Sequence, residues 1–294
     1  MVNRARGKIE SMIGMAPVLG QVDKLIARAI SDQQRRDAGL PVEPRSMHMV
    51  FSGPPGTGKT SVAEQFGHIY KGLGLVPKGQ FVQAKPSDLI GTHLGETQTK
   101  TQQTFDKARG GVLFIDEAYS IVHGDQDMYG HQAIDILVDQ MEKHRDDTVV
   151  ILAGYGPEMK KLIATNPGLA SRLPTTIHFP AYTPADAKRI FKEGFGRKGQ
   201  YTFAPGTDAK VTAAIGRIDH GNAREVRNLY EEIVGSVAAR NAAYQAEHGK
   251  RPSTPTLRRI TPADVDAGLA SYLATRAGEP ERPRQRKRRP KVAT

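Results

Sequence analysis

The 294-residue sequence contains no cysteine, which excludes a disulfide framework and any cysteine-bound metal. Long apolar runs are missing too: no stretch approaches the ~20 residues that a membrane-spanning helix needs. The first eight residues, Met1 to Lys8, are basic, but no extended apolar segment follows, so a signal peptide is not expected. These absences suit a cytoplasmic protein without membrane insertion. With 38% hydrophobic and 25% charged residues the composition fits a globular fold, and the length allows one large domain or two modest ones.

The charge is unevenly spread. Residues 281–294 hold seven basic side chains (Arg282, Arg284, Arg286, Lys287, Arg288, Arg289, Lys291) and one acid, Glu281, so +6 of the formal +11 sits there and +5 in all the rest. Residues 276–294, rich in Arg and Pro and almost free of apolar side chains, read as a disordered tail. Such a tail could hold nucleic acid through residues 282–291 by salt-sensitive phosphate contacts. No aromatic residue interleaves with its arginines, so base stacking gains no support. A solubilising or docking tail is the preferred reading, and a nucleic-acid-dependent motor or loader the alternative.

What is present is a phosphate-cradling loop. Gly53-Pro54-Pro55-Gly56-Thr57-Gly58-Lys59-Thr60 fills the pattern G-x-x-x-x-G-K-[ST] at every fixed position. An apolar strand, Met47 to Phe51, precedes it, and a helical pattern opens at Ser61. Nucleotide phosphates sit on free backbone N–H groups at such a helix start, and the glycines let the backbone approach closely. Lys59 would reach the terminal phosphates, and Thr60 would place its hydroxyl on Mg²⁺.

Further strands are expected at residues 80–84, 112–115, 148–153 and 176–179. Helices are expected at 16–36, at 97–109 and around Ile134, Leu137, Val138 and Met141. Buried-type strands alternating with helices predict a parallel sheet covered on both faces. After Pro180 only helices are expected. The tetrapeptide Thr-Pro-Ala-Asp occurs at 183–186 and again at 261–264, each suited to cap a helix start. The apolar positions from Val226 to Val237 mark a strong amphipathic helix. The expected organisation is therefore an α/β nucleotide-binding domain over 1–180, a helical domain over 181–275, and the tail.

Asp116-Glu117 ends the apolar run Val112 to Ile115. A strand-end carboxylate there can hold Mg²⁺ beside the phosphates, and the next one can activate the attacking water. His123, Asp125, Asp127 and His131 form a second polar cluster. It has no ligand spacing and reads as a loop before a helix.

Taken together, Gly53 to Thr60, Gly110 to Tyr119, Val149 to Tyr155 and Asn166 to Arg172 resemble the CbxX/CfxQ family of AAA+ ATPases. The resemblance covers roughly residues 10–275. It implies a P-loop AAA+ domain with a small helical lid, ATP and Mg²⁺ bound between the two, and homo-oligomeric rings, usually hexameric, that remodel a protein client. It makes Arg172 the arginine finger that reaches the neighbouring subunit's nucleotide, with Ala170 where relatives often carry a second arginine. Arg224 matches the lid arginine that senses phosphates, with Arg227 the runner-up. Ile13-Gly14 matches the segment that packs on adenine, and Tyr155 is left without a role. His93, beside Leu94, stands in the pore loop where relatives carry an aromatic residue. The implied set is Lys59, Glu117 and Arg172 for catalysis, residues 53–61 with Ile13, Gly14 and Arg224 for nucleotide, and Thr60 with Asp116 for metal. The branch and the client stay open.

Overall fold

The computed structural model describes residues 1–277 apart from Leu94, Asp125 and residues 219–221. Residues 278–294 of the expected tail and Leu94 of the expected pore loop thus lie outside the described residues, whereas 276 and 277 finish the last helix. Contacts divide the chain into two compact units, Met1–Ile190 and the residues from Phe191 onward, with Asn222 to Arg224 grouping with the first.

The first unit runs α1 (Val2–Glu10), α2 (Ala16–Asp37), β1 (Met49–Ser52), α3 (Lys59–Gly72), β2 (Phe81–Ala84), α4 (Glu96–Ala108), β3 (Val112–Ile115), α5 (Met128–Lys143), β4 (Val149–Gly154), α6 (Gly156–Ala164), α7 (Pro167–Arg172), β5 (Thr175–His178) and α8 (Pro184–Arg189). The five strands form one sheet in the order β2-β3-β4-β1-β5, every pairing parallel. All strand C-termini therefore lie along one edge.

Both faces of that sheet are buried, which is why its strands read as continuous apolar runs. Successive side chains alternate between faces. Met49, Phe51, Val112, Phe114, Val149 and Ile151 pack with α1, α2 and α3. Val50, Leu113, Ile115, Val150 and Leu152 pack with α4, α5, α6 and α7. On the first face Phe51 stands 5.5 Å from Phe66 and 5.0 Å from Phe179, ring centre to ring centre, tying β1 to α3 and to the chain leaving β5. That cluster fixes the strand from which the phosphate loop springs.

The second unit contains β6 (Thr202–Phe203), α9 (Thr207–Ile215), α10 (Ala223–His248), α11 (Thr254–Leu257), β7 (Arg259–Ile260) and α12 (Pro262–Ala277). It is helical, as expected, with one addition: β6 and β7 pair in parallel over two residues each. The pairing satisfies exposed backbone through Thr202 N–H to the Arg258 carbonyl and Ala204 N–H to the Ile260 carbonyl. Both repeated tetrapeptides cap helices. Thr183 and Asp186 form a reciprocal capping box at α8, and the Asp264 carboxylate accepts from the Thr261 N–H and hydroxyl at α12.

Candidate active site

The loop between β1 and α3 follows from its glycines. Gly56 and Gly58 sit at φ +74° and +88°, which L side chains rarely adopt, so both turns depend on glycine. Gly53 permits a close crossing: a Cβ there would stand 2.3 Å from the Phe179 carbonyl oxygen. No side chain caps the start of α3. Its first-turn N–H groups are left for an anion, and they lie at the positive end of the helix dipole.

Lys59 is 8% exposed, and its ammonium donates to the carbonyls of Gly53 (2.8 Å) and Pro54 (2.9 Å). Burial pulls its pKa below the ordinary lysine value. Asp116 opposes that shift, Arg224 adds to it, and Glu117 opposes it. The lysine therefore lies within electrostatic reach of all three. Thr57 donates its hydroxyl to Pro54 O at 2.8 Å, closing the loop from within. Thr60 is half-buried and Ser61 exposed on the first helical turn.

Asp116 continues β3: its N–H donates to the Ala84 carbonyl at 3.1 Å. Glu117 then takes a left-handed conformation, φ +52°, its N–H donating to Asp116 Oδ1 at 3.0 Å. A non-glycine residue held there costs energy, of order 1–3 kcal/mol, and the abrupt turn leaves its carboxyl exposed just past the strand. Only β4 separates β3 from β1, so the acids and the phosphate loop stand about 10 Å apart along one edge, two strand spacings. That gap suits a chain of phosphates with a cation between.

Around the loop, Met15, Tyr182 and Arg224 close in. A Cβ at Gly58 would lie 3.0 Å from Met15 Cε and 3.7 Å from the Tyr182 hydroxyl, and one at Gly56 would lie 3.1 Å from Arg224 Cβ. Gly14, at φ +74°, passes so close to the Tyr182 ring that a Cβ would meet it at 2.7 Å. The Ala223 N–H donates to the Gly56 carbonyl at 3.2 Å, and neighbouring Asn222 buries an Oδ1 with no hydrogen-bond partner. Ile13-Gly14 and Arg224 are thus brought to the loop. Arg227 instead stacks over the Phe195 ring at 5.4 Å in the second unit.

Arg172 and His93, expected at a neighbour's nucleotide and in a pore loop, stand away from this chain's own phosphate loop. Arg172 ends α7, ahead of β5, whereas the phosphate loop follows the opposite end of β1, whose Ser52 pairs with His178. The length of β5, about 13 Å, therefore separates Arg172 from its own chain's loop. It is held where it stands: Nη1 donates to the Gly168 carbonyl at 3.0 Å, Nε lies 3.2 Å from Glu142 Oε2, and its carbonyl accepts from Ser46 Oγ at 2.6 Å. His93 lies in the turn between β2 and α4, at the far side of the sheet from β1. There Glu96 Oε2 accepts from the Thr92 N–H (2.6 Å) and hydroxyl (3.1 Å) and from the His93 N–H (3.2 Å). These bonds, with Lys100 beside it, hold the Glu96 carboxyl down at about 2. His93 itself is exposed.

Asp127 is the N-cap of α5, accepting from the N–H groups of Gly130 and His123. Glu142, Ser46 and Asn222 were not singled out by sequence reasoning. Glu142 and Ser46 belong to no motif, Asn222 lies two residues before Arg224 in the segment that marks the lid arginine, and only the folded chain brings them beside Arg172 or Gly56.

A parallel sheet carrying a glycine loop, a buried lysine and strand-end acids at one edge, followed by a helical unit, defines a P-loop nucleoside triphosphatase with a lid. Residues 49–181 match the model of the ATPase family associated with various cellular activities (AAA), and residues 189–273 match the AAA lid domain. The chain is 36% identical over 263 residues to protein CfxQ of Xanthobacter flavus, covering 88% of this chain and 81% of that protein. It is 39% identical over 225 residues to the chloroplastic ribulose bisphosphate carboxylase/oxygenase activase of Cyanidioschyzon merolae, covering 75% and 76% respectively. A mutant of RuvB from Thermotoga maritima superposes with a TM-score of 0.57 at 17% identity, over 90% of this chain and 72% of that one, a likeness of fold. The chain belongs to the AAA family of ATPases, among proteins of the CfxQ type. No helix among the described residues is long and apolar enough to cross a membrane.

Proposed function

We propose that this ATPase is a ring-forming remodeller of a protein client whose active site is completed by the neighbouring subunit. The observation that carries the reading is a split. Lys59, Asp116 and Glu117 gather at the C-terminal edge of the sheet, while Arg172 stands at the N-terminal edge, about a strand's length away. An arginine so placed can serve catalysis only on another chain. In a closed head-to-tail ring two different patches of the subunit meet at every interface, so the edge bearing Arg172 can face the nucleotide edge of the next subunit.

The residues fit ATP and Mg²⁺. The uncapped α3 start and the left-handed glycines form an anion cradle, and the two carbonyls now holding Lys59 occupy its ammonium as phosphate oxygens would. On this reading the N–H groups of residues 53–61 hold the phosphates, Lys59 moves from the Gly53 and Pro54 carbonyls onto the terminal ones, and Ile13-Gly14 packs against the base. Thr60 and Asp116 would hold Mg²⁺, which when bound neutralises charge between the phosphates. Glu117 takes the proton of the attacking water. Arg224 senses the terminal phosphate, and Arg172 of the adjoining subunit stabilises charge at the transferring phosphoryl group, an effect worth ~10³–10⁵ in rate in other nucleoside triphosphatases.

His93 is the residue proposed to meet the client, on a turn held by Glu96. The client is a protein, and its identity is the question for capture. Glu117→Gln should bind ATP and hydrolyse it slowly, holding the assembly closed on whatever it grips. Isolation of that variant with ATP, but not with ADP, should retain a stoichiometric protein. Recovery of the assembled variant alone, with ATP bound and no client, would argue for an ATP-switched scaffold instead.

A further inference from the structure

The guanidinium of Arg172 is held by groups that no nucleotide site requires. Glu142, on the last turn of α5, splits its carboxylate between two arginines. Oε1 accepts from Arg145 Nη1 at 3.1 Å, and Oε2 lies 3.2 Å from Arg172 Nε. The Nε–H is buried and not aligned for a hydrogen bond, so this second contact is ionic. Gly168 takes Nη1 at 3.0 Å, with Ser171 Oγ beyond at 3.5 Å, and Ser46 holds the Arg172 main chain. Nη2 makes no hydrogen bond among the described residues. The arginine is thus held through Nη1 and Nε, and Nη2 is the nitrogen that neither contact uses.

We propose that Glu142 is the positioning residue for Arg172: with Gly168 it orients the guanidinium so that Nη2 is the donor presented to the neighbouring subunit's terminal phosphate. This rests on the reading of Arg172 as a residue acting across subunits. Arg145, by occupying Oε1, fixes which oxygen of Glu142 faces Arg172. Glu142 and Arg145 are about half exposed and Arg172 a quarter. The Arg145 contact, half exposed on both sides, adds little to folding stability, and on the Arg172 side the Glu142 carboxylate itself stays open to water. Substitution at Glu142 should therefore leave the fold and the assembly in place and appear in turnover.

The test uses full-length subunits of two kinds. Lys59→Ala subunits keep Arg172 but lack the phosphate-binding lysine. Arg172→Ala subunits keep the loop but lack the arginine. Mixed, they should regain part of the turnover that neither has alone. Adding Glu142→Ala to the Lys59→Ala subunit should lower the restored kcat by about ten- to a hundredfold, the scale of a displaced catalytic group, with KM for ATP changed less than about twofold. Adding it instead to the Arg172→Ala subunit should leave the mixture at its parent rate. Glu142→Asp on the first subunit should recover part of the loss. Equal loss from either subunit would make Glu142 a structural residue, and no loss from the first would end the inference. If the parent mixture regains nothing, the trans reading of Arg172 fails and the inference with it.

Discussion

Replacing Lys59 with methionine separates what its ammonium does for the fold from what it does for nucleotide. Methionine keeps most of the stem's length and apolar packing in a slot that is 8% exposed. The change removes two hydrogen bonds of 2.8 and 2.9 Å and leaves the Gly53 and Pro54 carbonyls without their donor. Such a loss costs about 1–3 kcal/mol. Against it stands the relief of a desolvated charge, since burial already weakens the ammonium. The net change without nucleotide should stay within about 1–2 kcal/mol, a few degrees in melting temperature. With nucleotide the two proteins should part. At a free Mg-ATP concentration of about 100 Kd, wild type gains roughly 2.7 kcal/mol. At about 2–4 °C per kcal/mol for a unit of this size, that is a rise of roughly 5–11 °C. Lys59→Met at the same Mg-ATP concentration should rise by less than about 2 °C. Differential scanning fluorimetry with and without Mg-ATP reads both quantities. A variant that keeps the wild-type rise would show that Lys59 does not hold the phosphates.

Three further outcomes are expected. Glu117→Gln should keep the nucleotide-induced rise in melting temperature while kcat falls by about 10²–10⁴, the usual worth of a general base; an unchanged kcat would remove Glu117 from that role. His48 is buried, its Nδ1 accepting from the Val150 N–H at 3.0 Å and its Nε2 facing the Met141 carbonyl at 3.0 Å, with Arg172 and Glu142 the charged groups nearby. Burial lowers its pKa, so the stability of the neutral form is fully present above an unfolded value near 6.5 and is lost as pH falls toward the folded one. Melting temperature should therefore drop as pH falls below about 6.5, and His48→Asn should flatten that slope; equal slopes would contradict it. At the proposed pore loop, His93→Ala should weaken stimulation of turnover by a bound client severalfold while basal turnover holds. Stimulation indifferent to both His93→Ala and His93→Tyr would place the grip elsewhere.

Much of the nucleotide edge was legible because its signals are local. The loop is contiguous, and the acids follow an apolar run whose burial on both faces gives it an unmistakable composition. The two Thr-Pro-Ala-Asp caps are local too, each closing its own hydrogen bonds within four residues. What escaped depends on distance along the chain. Glu142 meets Arg172 across thirty residues, and Ser46 meets its main chain across 126. Helix α1 escaped for a different reason: it buries only Ala5 and Ile9, too few apolar positions for periodicity to reveal. The pairing of β6 with β7 involves two residues from each strand and has no pattern to detect. His93 shows the limit of a position known only by its motif. The sequence marks the substitution, whereas the clamp by Glu96 that shapes the turn emerges from three hydrogen bonds to one oxygen.

The division of one active site between two chains is tested most directly by ATP turnover per subunit, measured from dilute monomer to fully assembled protein with the assembled mass followed alongside. Turnover should rise steeply as subunits associate, in step with mass, and Arg172→Ala should assemble without that rise. Dilute monomer as active per chain as the assembly, with Arg172→Ala no different, would contradict it.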